Sequence, residues 1–210
     1  MKKGLSVSEL MKKRYKVLDF QGELKDAFGN PEGCGIWFIW GNSGNGKSSF
    51  VVQLCKELLR FGRILYNSLE EGSSLTLQNA FKEFDTEETK RRLLIINEDI
   101  TSIEKRLLKK RSPEFVVIDS FQYSQMTYES YVPFKEKFTN KLIIFVSHAD
   151  GKRPSGRPAK SVMYDASLKI WIEGFRAISK GRFIGENGGI YTIWEEGAKR
   201  YWGEDNKLKK

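Results

Sequence analysis

Gly41-Asn42-Ser43-Gly44-Asn45-Gly46-Lys47-Ser48-Ser49 is the stretch whose residue types and spacing carry the most chemistry. It fits Gly-x-x-x-x-Gly-Lys-Ser/Thr, the phosphate-binding P-loop. Glycines let the backbone curl so that successive N–H groups converge on one anion. A helix starting near Lys47 adds the positive end of its dipole. In that arrangement Lys47 reaches the β- and γ-phosphates of a nucleotide and the Ser48 hydroxyl ligates a metal ion. The implied cofactors are ATP and Mg2+. Ser49 supplies a second hydroxyl one position beyond the metal ligand.

Three further chemical positions stand at the ends of apolar runs. Phe115-Val-Val-Ile118 ends at Asp119, the Walker B pattern, in which a strand-end carboxylate beside the P-loop holds Mg2+ through water. The run Arg63 to Ser68 leads into Leu69-Glu70-Glu71, where a carboxylate accepts a proton from an attacking water. Transfer to a substrate hydroxyl needs no such base, so this pair leans toward hydrolysis. Leu142 to Val146 ends at Ser147-His148, a position from which a polar side chain senses a γ-phosphate.

The elements that must hold these residues follow from periodicity. Ile36 to Trp40 reads as a buried strand and Phe50 to Leu59 as a helix, so the P-loop lies between strand and helix as its chemistry requires. Strands are expected over 63–68, 93–96, 115–118 and 142–146, and helices over 75–84, 101–111 and 126–138, the last kinked or interrupted by Pro133. A further helical piece is expected over 86–92, and a helical turn over 158–167. Residues 6–14 read as a short helix and 15–20 as an edge strand or arm. Residues 150–158 read as a mobile loop. Three short strands separated by glycines, over 168–173, 175–179 and 190–194, form an antiparallel meander. The expected fold is α/β: a mostly parallel central sheet flanked by helices, with the C-terminal meander extending one edge. The expected division is an N-terminal arm or short helix over 1–30, an ATPase core over 31–203 and a basic tail over 204–210.

Composition narrows the class. The 210 residues suffice for one α/β domain, and 40% hydrophobic and 30% charged residues are ordinary for a globular protein. No apolar run approaches the ~20 residues needed to span a bilayer. The basic first residues lack the apolar region of a signal peptide, so a cytoplasmic location and no membrane partner are expected. Two cysteines, Cys34 and Cys55, make no disulfide framework. His148 is the sole histidine, which speaks against zinc chemistry. The net charge of +9 favours a polyanionic partner, nucleic acid first. The cations of 101–111 read as a solvated helix face.

Together these residues resemble the RecA-like ATPases, above all their RadA-like and DnaB-like branches. Ser68-Leu-Glu70 is similar to the Ser-Leu-Glu of DnaB-like proteins, and Glu70-Glu71 to the Gly-Glu-Glu-Ser of RadA-like ones. Both imply Glu70 as the catalytic glutamate. Val146-Ser-His148 is similar to the RadA-like strand end. Lys180-Gly-Arg182-Phe183 resembles Lys-Asn-Arg-Phe-Gly, with Ile184 inserted before Gly185, and Glu186 to Ile193 resembles the hairpin that follows it. The resemblance implies that Lys180 and Arg182 reach the ATP of a neighbouring subunit in a homo-oligomeric ring or filament. It also implies that the loop after His148, with Lys152, Arg153, Arg157 and Lys160, faces single-stranded DNA. It covers roughly residues 30–195 and lacks the accessory domains of full-length RadA-like and DnaB-like proteins, as in stand-alone ATPases of phages and mobile elements. The expected activity is Mg2+-dependent ATP hydrolysis acting on DNA in recombination, annealing, repair or replication. The alternatives are a P-loop small-molecule or nucleotide kinase and a nucleotide-switched regulatory module.

Overall fold

Strand runs as apolar as Ile36-Trp-Phe-Ile-Trp40 must be covered on both faces, and they are. The structure, a computed structural model, describes residues 4–84, 86, 89, 91–184 and 188–203. Along the strand β1 (Gly35–Gly41), Trp37 and Ile39 face one core while Ile36, Phe38 and Trp40 face the other. The strand β5 (Leu142–Asp150) repeats the pattern, with Leu142, Ile144 and Val146 on the first side and Ile143 and Phe145 on the second. Period-two alternation of this kind builds a sheet packed between two layers.

The first layer holds α2 (Gly22–Phe28), α3 (Lys47–Leu58) and α4 (Leu75–Ala80). The second holds α5 (Ile100–Leu107), α6 (Tyr128–Lys137) and α7 (Arg157–Asp165). Between them, β2 (Ile64–Ser68), β3 (Leu93–Ile96), β4 (Phe115–Asp119), β7 (Leu168–Glu173), β8 (Arg176–Gly181) and β9 (Gly189–Thr192) join β1 and β5 in the order β3-β2-β4-β5-β1-β7-β8-β9. The pairs from β3 to β7 are parallel, and β7-β8-β9 are antiparallel. This is the expected α/β sheet with its meander at one edge. The meander joins the sheet through the P-loop strand itself, because β7 pairs with β1.

Several local expectations are corrected. Residues 150–158 are not an open loop: Arg153–Pro154 (β6) pairs back on Ala149 and Asp150, and α7 begins at Arg157. Helix α6 runs unbroken through Pro133, which sits on the exposed side. Residues 15–20 make a single bridge, Val17 with Glu32, rather than a strand. A short helix α1 (Val7–Met11) stands clear of the core, capped at Ser6 by reciprocal bonds with Glu9, whereas Leu18, Phe20, Ala27 and Phe28 are fully buried. Two helices were not expected. Helix α2 docks on the meander, with the Ser179 hydroxyl donating to the Ala27 carbonyl. Helix α8 (Glu195–Trp202) ends the described chain, with Glu195 and Glu196 in its first turn and Lys199 and Arg200 in its last, matching the helix dipole. The helical piece expected over 86–92 lies partly outside the described residues, as do Gly185 to Asn187 of the hairpin resemblance and all of the 204–210 tail. Among the described residues no helix is long and apolar enough to cross a membrane.

Candidate nucleotide-binding site

Strand β1 delivers the chain to the loop at the carboxyl end of the sheet, and α3 carries it away. Gly41 is pressed against β7, where an added Cβ would stand 2.5 Å from the Ile172 carbonyl oxygen. Gly46 caps α3 in the left-handed region, at φ +91°, a conformation that costs glycine little. Asn45 fixes the loop to the β7–β8 turn: its side-chain oxygen accepts from Gly174 N–H at 2.8 Å and its carbonyl from Phe175 N–H at 3.1 Å. The Phe175 ring in turn packs on Gly46 and lies edge-on to Trp194 with centroids 5.0 Å apart. Asn42 donates to the Gly151 carbonyl at the tip of the β5–β6 hairpin, at 3.2 Å.

A cleft of about 420 Å3 opens above the loop, lined by Ser43, Gly44, Gly46, Lys47, Ser48 and Ser49 and by Glu70, Glu71 and Asp119 at the strand ends. Strand β4 lies two places from β1, with β5 between. Asp119 still faces the loop, and the Lys47 charge acts on its carboxyl. Tyr66, buried on β2, donates its hydroxyl to Asp119 Oδ2 at 2.5 Å. Burial pushes the Asp119 carboxyl above the usual carboxylate range; the Tyr66 hydrogen bond opposes that shift, and the nearby Glu70 adds to it. A half-buried carboxylate in that state gains from a cation beside it.

Glu70 and His148 meet directly, with Nε2 of His148 2.8 Å from Glu70 Oε2. Strand β5 continues past β4 and brings His148 level with Gly41, so the histidine bridges from the loop to the end of β2. Gln122, in the turn after β4, fixes that strand end. Its Oε1 accepts from His148 N–H at 3.2 Å, and its Nε2 donates to Ser147 Oγ at 2.8 Å and to the Ser155 carbonyl at 3.0 Å. Glu71 turns to the start of α4, where the Ser74 and Thr76 hydroxyls donate to it at 3.0 and 2.8 Å.

The residues present fit a nucleotide with Mg2+. Nothing lies within 4 Å of where a Gly44 Cβ would stand, which leaves an open backbone cradle. Among the described residues the Lys47 ammonium has no hydrogen bond or ion pair. Ser48 and Asp119 offer oxygen donors, the ligands a hard cation takes. Ser120 Oγ, buried next to Asp119, has no hydrogen-bond partner among the described residues.

The P-loop residues, Glu70, Asp119 and His148 thus share one end of the sheet. The hairpin carrying Lys152 and Arg153 adjoins them, and Arg157 and Lys160 follow on α7. Lys152 reaches back over the Trp171 ring at 5.5 Å. Lys180 and Arg182 lie at the opposite end: Lys180 pairs with Lys169 and Gly181 with Leu168, beside Trp37 at the start of β1. Four strand residues, roughly 13 Å, separate that level from Gly41. Tyr66, Gln122 and Phe175 went unnoticed in the sequence. Tyr66 reads there as one more apolar strand residue, and nothing around Gln122 or Phe175 marks what they touch.

No protein-family model and no curated protein matches the chain. Its fold, by contrast, matches 627 solved chains, so the architecture is common and does not select one activity. Among them is the crystal structure of flagellar accessory protein FlaH from Methanocaldococcus jannaschii, which is 15% identical with a TM-score of 0.62 over 86% of this chain and 96% of that one. At that identity the likeness speaks for architecture alone, and the architecture is that of a RecA-like α/β fold.

Proposed function

We propose that this chain is a Mg2+-dependent ATPase of the RadA-like or DnaB-like kind that acts on single-stranded DNA in recombination, annealing, repair or replication and works as a homo-oligomer. The observation that carries the hydrolytic part is the 2.8 Å contact between Glu70 and His148, made at the rim of a cleft that also holds Lys47, Ser48 and Asp119. The main-chain N–H groups of the P-loop bind phosphate oxygens. Lys47 stabilises the negative charge that develops on the phosphate oxygens in the transition state. Glu70 takes a proton from the attacking water, and His148 fixes the direction of its carboxylate. Ser48, and Asp119 through water, would hold Mg2+, which would supply positive charge beside the phosphates.

The DNA part rests on the hairpin. Lys152, Arg153, Arg157 and Lys160 supply cations for phosphate contacts. The Asn42–Gly151 hydrogen bond ties the hairpin tip to the P-loop, so a strand bound there bears on the nucleotide cleft. Turnover of ATP with Mg2+ and no phosphoryl acceptor separates hydrolysis from kinase chemistry. It should rise on adding single-stranded DNA. Product that forms only with an added acceptor, or a rate indifferent to DNA, overturns the corresponding half of the proposal.

A further inference from the structure

The amino ends of β2, β4 and β5 form the other end of the sheet, and a second concavity of about 430 Å3 opens there. Its volume lies within the roughly 300–1,000 Å3 of small-ligand sites. The five residues of β4, roughly 16 Å of strand, separate it from the nucleotide cleft. Its walls are cationic. Lys109 and Lys110 come from the turn after α5, Lys137 from the end of α6, Arg63 from the start of β2 and Lys141 from the start of β5. The carboxylates nearby are engaged: Glu114 pairs with Arg63 at 3.2 Å, Glu104 with Lys137 at 2.7 Å, and Glu98, on which the Lys109 charge also acts, with Arg106.

Lys141 is the built part of this site. It is only 7% exposed. Its ammonium donates to Ser112 Oγ at 2.8 Å and to the Pro113 carbonyl at 2.7 Å. An ammonium has three N–H groups, and among the described residues no acceptor takes the third. Burial draws the Lys141 pKa down; Glu114 opposes that and Arg63 adds to it. An anion in the groove would accept the remaining hydrogen and offset the desolvation. The ammonium groups of Lys109 and Lys110, both exposed residues, have neither hydrogen bond nor ion pair among the described residues.

We propose that this groove is a second polyanion site, one that takes the phosphodiester backbone of a nucleic acid through Lys109, Lys110 and Lys141. Two cations of residues 101–111, Lys109 and Lys110, therefore serve a ligand rather than solvent alone. A protein partner with an acidic surface fits less well, because protein interfaces centre on apolar and aromatic anchors. Leu108 is the exposed large apolar side chain here, and Leu107 and Phe138 are buried in the core. A phosphate backbone asks only for cations spaced along a groove. With the hairpin at the other end of the sheet, one chain could then hold two nucleic-acid segments.

The proposal does not rest on the hairpin assignment, and the test keeps the two apart. Binding of a labelled oligothymidylate and of a mixed-sequence duplex is followed by fluorescence anisotropy against salt, without nucleotide. It is measured in the wild-type chain and in a chain with Lys152, Arg153, Arg157 and Lys160 all changed to Gln. Adding Lys109→Gln with Lys110→Gln should lower the log–log salt slope in both backgrounds, by about 1.4 for the single strand and about 1.8 for the duplex. Lys109→Arg with Lys110→Arg should restore it. Amides of 108–112 and 138–141 should gain hydrogen-exchange protection when the oligonucleotide is added. ATP turnover without DNA should stay at the wild-type rate. An unchanged slope overturns the proposal, as does a loss that the arginine pair shares, which marks a structural effect. Polyglutamate displacing the oligonucleotide at lower charge concentration, with protection of the same amides, assigns the groove to an acidic protein instead.

Discussion

Glu70 and Glu71 are adjacent in the chain and face different partners. Glu70 meets His148 at the cleft, while Glu71 is held by two hydroxyls of the α4 start. A base must reach the water it deprotonates, so Glu70→Gln should retain ATP binding and lose about 10²–10⁴-fold in turnover, whereas Glu71→Gln should stay within a few-fold of wild type. Steady-state hydrolysis and equilibrium nucleotide binding, measured on both variants, distinguish them, and the reverse pattern would exchange their roles. Lys47→Ala should abolish binding or turnover, because it removes the cation facing the phosphates. Tyr66→Phe tests the support for Asp119. It leaves a half-buried carboxylate without its hydroxyl donor and should lower stability by about 1–3 kcal/mol, read by thermal melting without nucleotide.

The β5–β6 hairpin and the α6–α7 pair each work as a unit. Neutralising Lys152, Arg153, Arg157 and Lys160 together should flatten the salt dependence of single-strand binding, by about 0.7 in the log–log slope for each phosphate the chain no longer neutralises. An unchanged slope would place the single-strand surface elsewhere. Helices α6 and α7 are joined at Asp165, which accepts from the Tyr131 hydroxyl at 2.5 Å and from Lys135 Nζ at 2.6 Å. Burial pushes the Asp165 carboxyl up, but the hydrogen bonds from Lys135 and Tyr131 outweigh it and leave it below the usual range. A carboxyl depressed on folding contributes stability that is fully present above its unfolded pKa, about 3.9, and is lost as pH falls through the folded value. Asp165→Asn should therefore cost about 1–2 kcal/mol at neutral pH, and the gap from wild type should close as the medium is acidified below about pH 4. Melting curves across pH check this. A constant gap would deny the ion pair its part.

For the molecule as a whole, the placement of Lys180 and Arg182 matters most. They stand at the end of the sheet away from their own P-loop, where the Arg182 charge acts on Asp165 and Lys169. A guanidinium stabilises transition-state charge only at hydrogen-bonding distance, so any catalytic part for this pair requires the ATP of another chain. On that reading, turnover per chain should rise with protein concentration. Arg182→Ala and Lys47→Ala, each nearly inactive alone, should regain activity when mixed, because one mixed interface pairs an intact P-loop with an intact arginine. A mixture that co-assembles and stays inactive, or a fully active dilute monomer, would restrict Arg182 to its electrostatic contact with Asp165.

Residues 41–49 were legible because a phosphate cradle needs consecutive backbone N–H groups, and consecutive means local in sequence. Asp119, Glu70 and His148 could be picked out because parallel strands deliver their last residues to one edge, and apolar runs show where those strands stop. Helix α8 had a readable charge pattern that the short glycine-rich strands before it obscured. Helix α2 had none: Gly22 opens it, no side chain caps it, and its docking against Ser179 and Gly189 holds it in place. Folding in three dimensions alone could decide that Glu70 faces His148 while Glu71 does not, that Tyr66 supports Asp119, and that Phe175 closes on Gly46. It alone assembled Arg63, Lys109, Lys137 and Lys141 into one groove from four separate elements. Those relations join residues tens of positions apart, and their distances come from strand order and register, which no local pattern of side chains encodes.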